Sequence, residues 1–268
     1  MNIKIAVSGC CGRMGKRIVS LALLDKEIKV TGLAEAKGHP DIGKAFGKII
    51  GEETFDIKVS DNLSTAAKDA DLIIDFTTPT ATLSSLSVAR KLKIPIVVGT
   101  TGLTDEEHKV VKSTSGSVPV LLSANMSIGV NLLFRLVPEI ANALGEDYNI
   151  EIVEVHHNKK KDSPSGTAKT LAQLLADTKE RPLKDLAVYG REGNVGQRSK
   201  REIGIHAVRA GDVVGDHTII YAGDNERIEI THRAHSRDVF ANGALRGAKY
   251  IADKSPGLYT MQDVLEGV

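Results

Sequence analysis

The 268-residue chain contains no tryptophan and only five phenylalanines and five tyrosines. So few rings argue against the aromatic platforms on which single-stranded nucleic acids stack. Its two cysteines, Cys10 and Cys11, are neighbours and cannot staple distant segments together. That usage suits a reducing compartment, and a cytoplasmic protein is expected. Charge of neither sign prevails: the formal net charge is +1, so no global field draws the chain to nucleic acid or membrane. No uninterrupted apolar run approaches the roughly 20 residues of a membrane span. The apolar start of MNIKIAVSG reaches glycine too early for a secretory signal. Neither nucleic acid nor membrane is therefore an expected partner.

What is present is a regular alternation. Up to about residue 125, short apolar runs (IKIAVSG, IKVTGLAE, DIKVS, ADLIIDFT, IPIVVGT, VPVLLSA) are separated by segments with helical spacing or helix-start signals. Strands apolar on both faces and joined by helices predict a parallel sheet covered on both sides, a Rossmann-type doubly wound α/β domain. From Ser127 the pattern changes. A long helix (IGVNLLFRLVPEIANAL), the strand YNIEIVEVHH and a second helix precede a Gly/Arg/Lys-rich stretch, residues 190–202, that reads as a mobile loop. Three β runs (IGIHAVRA, VVGDHTIIYA, ERIEITHRA) joined by GD and GDN turns then predict a meander, within an antiparallel or mixed sheet of a second α+β domain. FANGALRGAKYIA closes the chain as a helix with small residues on one face.

VSGCCGRMG leaves the first strand and opens the first helix. Its Gly9, Gly12 and Gly15 give G-x-x-G-x-x-G, suited to a tight turn, close approach of backbone to a pyrophosphate, and free N–H groups at a helix start. Glu35, 20 residues beyond Gly15 at the end of the second strand, is placed to accept from ribose hydroxyls. The whole loop (Gly9, Cys10, Cys11, Gly12, Arg13, Met14, Gly15) and Glu35 are candidate contacts for a nicotinamide dinucleotide. The carboxylate favours NADH, while Arg13, Lys16 or Lys37 could still meet the 2′-phosphate of NADPH. Ligands of doubly wound sheets lie beyond the carboxyl ends of the strands, which adds Phe76, Thr77, Gly99, Thr100, Thr101 and Gly102. Thr104 and Glu107 also match a capping box.

HHNKKKDSPSGTA, residues 156–168, packs two histidines and three lysines into its first six positions, a local feature of a nearly neutral chain. Hydroxyls and a glycine at a helix start make a site for carboxylate or phosphate, and the cations upstream could both bind an anion and donate a proton. Ser163 with Pro164 could equally be only a cap and first turn. No metal is expected at this stretch, which offers two adjacent histidines without an obvious carboxylate or cysteine partner set. Asp162 reads better as an ion-pair or loop-orienting group, and Lys159 and Lys161 read as solvated.

VSGCCGRMG, DFTTP, GTTG, ANMSIGVN, EIVEVHHNKKKDSPSGTA, REG, HAVRAGDVVGDHT and ITHRAHSRDVFANGALR, in this order and almost end to end, resemble the dihydrodipicolinate reductases of lysine biosynthesis, also called 4-hydroxy-tetrahydrodipicolinate reductases. The resemblance implies NAD(P)H-dependent reduction of a cyclic imine dicarboxylate to tetrahydrodipicolinate, and a homotetramer. It implies a nucleotide domain from residues 1–127 and 236–268, and a substrate-binding and oligomerisation domain from 128–235. By the same resemblance His156 and Lys160 are catalytic, and His157, Lys160, Ser165, Gly166 and Thr167 hold substrate carboxylates. Ala124, Asn125, Met126 and Arg237 join the cofactor contacts.

Three other readings share parts of this pattern, and of them a sugar-type dehydrogenase on the same scaffold stays open if the 156–168 match is coincidental. A semialdehyde dehydrogenase needs a nucleophilic cysteine in its catalytic region, and both cysteines here lie in the glycine loop. A redox-sensing regulator needs a basic helix-turn-helix, and none is visible.

Overall fold

The computed structural model describes residues 2–267. In chain order its elements are β1 (Ile3–Ser8), α1 (Arg13–Ala22), β2 (Ile28–Ala34), α2 (Gly47–Ile50), α3 (Leu63–Ala66), β3 (Leu72–Asp75), α4 (Pro79–Leu92), β4 (Ile96–Val98), α5 (Asp105–Ser115) and β5 (Pro119–Leu122). There follow α6 (Ile128–Leu144), β6 (Asn149–His156), α7 (Gly166–Thr178), α8 (Leu183–Leu186), β7 (Ala187–Tyr189), β8 (Ile203–Arg209), β9 (Gly215–Ala222) and β10 (Arg227–Ala234). The chain then closes with α9 (Asp238–Ile251), β11 (Gly257–Tyr259) and α10 (Met261–Glu266). It divides into two compact units, residues 1–128 with 237–268, and residues 129–236.

The first unit is built on a six-stranded parallel sheet of order β11-β5-β4-β3-β1-β2. Side chains of β1 and β3 alternate between two cores. Ile5, Val7, Leu72 and Ile74 join Ile18 and Val19 of α1 and Ala244 and Ala248 of α9, while Ala6 and Ile73 join Leu86 of α4 and Val111 of α5. A sheet covered on both faces needs strands apolar on both, as this sequence supplies. The small residues of α9 have a steric reason: a Cβ on Gly243 would lie 1.7 Å from the Met126 carbonyl oxygen. Thr104 caps α5 through the expected capping box with Glu107. DIKVS forms no strand; only single bridges, Ala45 to Lys58 and Ala34 to Ser60, mark it. β7, β11, α8 and α10 were too short to register as periodic segments.

The second unit carries a mixed sheet of order β10-β9-β6-β8-β7. β6 runs parallel to β8 and antiparallel to β9, so the three late β runs are not a meander. The reason lies in the β8–β9 turn. Ala210 N–H donates to the His156 carbonyl (2.8 Å), and Asn158 N–H donates to the Gly211 carbonyl (3.1 Å), drawing the turn across the end of β6. One face of the sheet packs Ile150, Ile152, Ile205, Ile219 and Tyr221 against α6 and α7, and the Tyr221 hydroxyl donates to the Val137 carbonyl. By length and composition Ile128–Asp147 would pass as a membrane span, which the sequence reading did not anticipate; Val130, Leu133, Val137 and Ala141 of that stretch are buried. Residues 190–202 are anchored by side chains. Arg198 donates to the Glu151 carboxylate, Asn149 Oδ1 and the carbonyls of Ile150, Ser199 and Glu202, and Arg191 pairs with Glu151 and Glu202. Burial opposes ionisation of Glu151, but hydrogen bonds from Arg191, Arg198 and His206 outweigh it and hold its carboxyl down to about 2.

Candidate functional site

In the first unit β1 is flanked by β2 on one side and β3 on the other, so strand order reverses there. The loops leaving β1 and β3 therefore border the crevice where doubly wound sheets take ligands. They lie against each other: Gly9 has φ +75°, and a Cβ there would sit 2.8 Å from Thr77 Cγ2 and 2.9 Å from the Phe76 carbonyl oxygen. A Cβ on Gly15 would come within 2.1 Å of the Gly9 carbonyl, so only glycine lets α1 start this close to the loop. Among the described residues no side chain caps α1 at Gly12, which leaves its first-turn N–H groups, including those of Arg13 and Met14, for an incoming anion. Glu35 closes the cradle. Its carboxylate accepts from the N–H of Cys11 (2.9 Å) and of Ala36 (2.8 Å), one bond per oxygen, with lone pairs remaining for ribose hydroxyls. The chain thus fits a dinucleotide by an open helix start, a loop only glycine can make, and an acceptor at the second strand's end.

Other predicted contacts are sorted by burial. Cys10 and Met126 are buried, so they can offer only backbone to a ligand, and burial raises the Cys10 thiol. The Phe76 ring covers Gly99, where a Cβ would be 2.2 Å from its Cζ. Thr100 is buried with its hydroxyl turned to Asp75, whereas Arg13, Thr101 and Arg237 are exposed. Ser123 fixes the Ala124–Met126 segment, its hydroxyl donating to the Asn125 carbonyl at 2.7 Å. Asp75 escaped the sequence reading. Wholly buried at the end of β3, it receives the hydroxyls of Thr77, Thr82 and Thr100 on Oδ1 at 2.8–2.9 Å. It thereby fixes both loops that follow β3 and β4. The D-F-T spacing after an apolar strand was its only signal.

In the second unit the basic stretch lies at the end of β6. Glu154 and His156, two residues apart, point to the same face of the strand, and register sets His217 of β9 opposite Glu154. Glu154 is completely buried and fully occupied. Oε2 receives His156 Nδ1 (2.5 Å) and Arg209 Nη1 (2.8 Å), while Oε1 receives Arg209 Nη2 (2.9 Å) and the Ser165 N–H (3.0 Å). Burial would raise its carboxyl, but these donors win and hold it below the usual range. Burial likewise pushes the His156 imidazole down, with Glu154 opposing, and pushes His217 down to about 3. Both rings are therefore neutral at pH 7, and Glu154 sets His156 with its proton on Nδ1 and Nε2 as acceptor.

Ser165, not Ser163, caps α7. Its hydroxyl receives the Ala168 N–H (3.1 Å) and meets His217 Nε2 (3.0 Å), so that oxygen is already committed, and the space beside Gly166 is open. Lys160 Nζ is held 2.9 Å from Asp162 Oδ1, and its charge reaches far enough to lower both His156 and His217. Lys159 and Lys161 are exposed. His157 Nδ1 is buried and lacks a hydrogen-bond partner among the described residues, as expected of a group kept for a ligand. The structure thus gathers His156, Lys160 and Ser165 around two groups that sequence reasoning missed, Glu154 and Arg209. The E-x-H alternation on an inward strand face could have found the first; Arg209 depends on the parallel register of β6 and β8.

Fold and side-chain arrangement together are those of the nicotinamide-dependent oxidoreductases, with a doubly wound unit that fits a dinucleotide and a second unit in which His156, Ser165 and Arg209 cluster on Glu154. Comparison narrows the class. Residues 3–126 match the family profile "Dihydrodipicolinate reductase, N-terminus" and residues 129–265 match "Dihydrodipicolinate reductase, C-terminus". The chain belongs to the dihydrodipicolinate reductase family. Proteins named 4-hydroxy-tetrahydrodipicolinate reductase from Trichlorobacter lovleyi and Syntrophus aciditrophicus are 47% and 46% identical over 263 residues, 98% of each chain. Among solved structures, the dipicolinate-bound dihydrodipicolinate reductase from Paenisporosarcina sp. TG-14 shares the fold, with a TM-score of 0.74 at 24% identity over 97% of this chain and 98% of that one.

Proposed function

We propose that this protein reduces the cyclic imine dicarboxylate formed from 4-hydroxy-tetrahydrodipicolinate to tetrahydrodipicolinate, a step of lysine and diaminopimelate biosynthesis. The observation that carries this reading is the cluster at the start of α7, where Glu154 orients His156, Ser165 and Arg209 around an open helix N-terminus with Lys160 beside it. Two substrate carboxylates need compensation, which the N–H groups at Gly166 and Thr167, His157 and Lys160 provide. When bound, the nicotinamide supplies a hydride to the conjugated C=C–C=N system. The chain's own work is to bind the carboxylates and to deliver the balancing proton. Lys160 is the donor, since it is the cationic group of the cluster least tied down, whereas the Arg209 guanidinium is locked to Glu154. His156, neutral and fixed through Nδ1, accepts or relays a proton at Nε2.

NADH is the preferred reductant, because Glu35 accepts from ribose hydroxyls and repels a 2′-phosphate; Arg13 or Lys37 lets NADPH serve less well. The protein works in the cytoplasm as a homotetramer. Supporting assembly, Val153, Val155, Thr218 and Ile220 stand half-exposed on the sheet face turned away from α6 and α7. Steady-state turnover on one preparation, with freshly made dihydrodipicolinate against sugars and semialdehydes and with each cofactor, tests the proposal. Oxidation of NADH with the sugars but not with the dicarboxylate would refute it.

A further inference from the structure

Beside the glycine loop the structure brings together a second set of groups that hydride transfer does not use. Cys11, His39 and Asp41 each offer a ligand atom, and these atoms lie within 4.8 Å of one another; Cys10, Cys11 and Glu35 form a second such group sharing Cys11. The spacing is slightly wider than the ~3.3–3.8 Å that tetrahedral bonds of ~2.0–2.3 Å impose between ligands, so closure needs a shift of about 1 Å. The 36–43 turn can supply it. Gly38 and Gly43 bound it at φ +86° and +80°, with open space around both. The turn is also preset: the Asp41 N–H donates to His39 Nδ1 at 3.2 Å, while Lys44 engages Asp41 Oδ1 and Oδ2 lies 3.9 Å from the imidazole.

We infer that Cys11, His39 and Asp41 form a site for a thiophilic divalent cation such as zinc, completed by water or Glu35, and that its occupation excludes the dinucleotide. One thiolate, one imidazole and one carboxylate are a zinc-type donor set, too soft for magnesium or calcium. Binding replaces the Cys11 S–H bond with a metal–sulfur bond and releases that proton to solvent; no oxidant takes part. Competition follows from shared residues. The Cys11 N–H holds Glu35, and both belong to the cradle described above. A metal that ties the Cys11 side chain to the 39–41 turn fixes this loop in a closed form. This second half of the inference rests on the dinucleotide reading; the metal site does not.

The test uses the full-length, reduced, cofactor-free protein. Zinc is titrated against a chromophoric chelator, and cobalt replaces it to reveal a thiolate-to-metal charge-transfer band. The expected result is one metal per chain with that band, weakened about tenfold or more in both C11S and H39A and unchanged in H108A, an exposed histidine elsewhere. Saturating zinc should raise the Kd for NADH by about tenfold or more, and H39A, which keeps the dinucleotide cradle, should erase that effect. Equal zinc affinity in wild type and C11S would overturn the site, and unchanged NADH affinity in zinc would overturn the competition. If NADH fails to bind the zinc-free protein, the dinucleotide reading falls together with the competition, while the cobalt band still decides the site.

Discussion

Replacing Glu154 by glutamine changes one oxygen for an amide nitrogen at a position with no solvent to absorb the error. Both oxygens now accept two bonds each, and Arg209 contributes to both. Whichever way the amide turns, its NH2 faces an Arg209 N–H, and on one side also the Ser165 N–H. A switch of His156 tautomer could relieve only the other side. Arg209 keeps its full charge while its carboxylate partner is gone, left with one amide oxygen and the Val208 and Asp162 carbonyls. Breaking a buried pair from one end costs about 3 kcal/mol or more. We therefore expect E154Q to lose about 3 kcal/mol in urea unfolding without a change in m-value. R209K, which keeps the charge but loses the fork, should lose about 1 kcal/mol. In catalysis Glu154 acts as a positioning residue: kcat should fall about tenfold or more with KM for NADH unmoved, and the pH profile should shift as His156 loses its fixed tautomer. Loss of less than about 0.5 kcal/mol, or an unaltered pH profile, would refute the reasoning.

The lysines of the basic stretch should differ sharply. K160A should lower turnover by about two to four orders of magnitude, the loss expected for a positioned proton donor, while exposed Lys161 tolerates alanine; equal effects would return the stretch to a solvated loop. H157A, and more mildly T167V, should raise the substrate KM and leave NADH affinity unchanged. E35A should shift the ratio of kcat/KM values toward NADPH, and an unchanged ratio would mean that Glu35 does not meet the ribose. His217, pushed down to about 3 by burial, is neutral in the fold but protonates near the ordinary imidazole value of 6.5 once unfolded. Over that window the unfolded state binds the extra proton, so stability is lost as pH falls from 6.5 toward 3, by about 1.4 kcal/mol per pH unit from this group. Wild type and H217N compared across the window should diverge with that slope, and parallel curves would remove His217 from the account.

Much of this was legible in the sequence for physical reasons. The doubly wound sheet announces itself because parallel strands buried on both faces are continuous apolar runs, and the glycine loop because Gly9 and Gly15 occupy places no Cβ can enter. Cross-strand register was not legible. The E-x-H alternation was visible, but the Arg209 fork on Glu154 exists only once β8 lies parallel to β6. The same crossing turned an expected meander into a mixed sheet. The stretch 190–202 looked mobile because glycine and charge suggest solvent, yet Arg198 alone is fixed by five acceptors. Composition tells what a segment can do, and only the partners across the fold tell what it does.

The most direct test of the central claim follows the hydride itself. The protein is incubated with NADH deuterated at nicotinamide C4 and freshly generated dihydrodipicolinate, and the product is read by mass spectrometry and NMR. The account predicts tetrahydrodipicolinate carrying a single deuterium on ring carbon, formed by wild type and reduced to near background in K160A. Oxidation of the cofactor without label in that product, or no oxidation with this substrate at all, would contradict it.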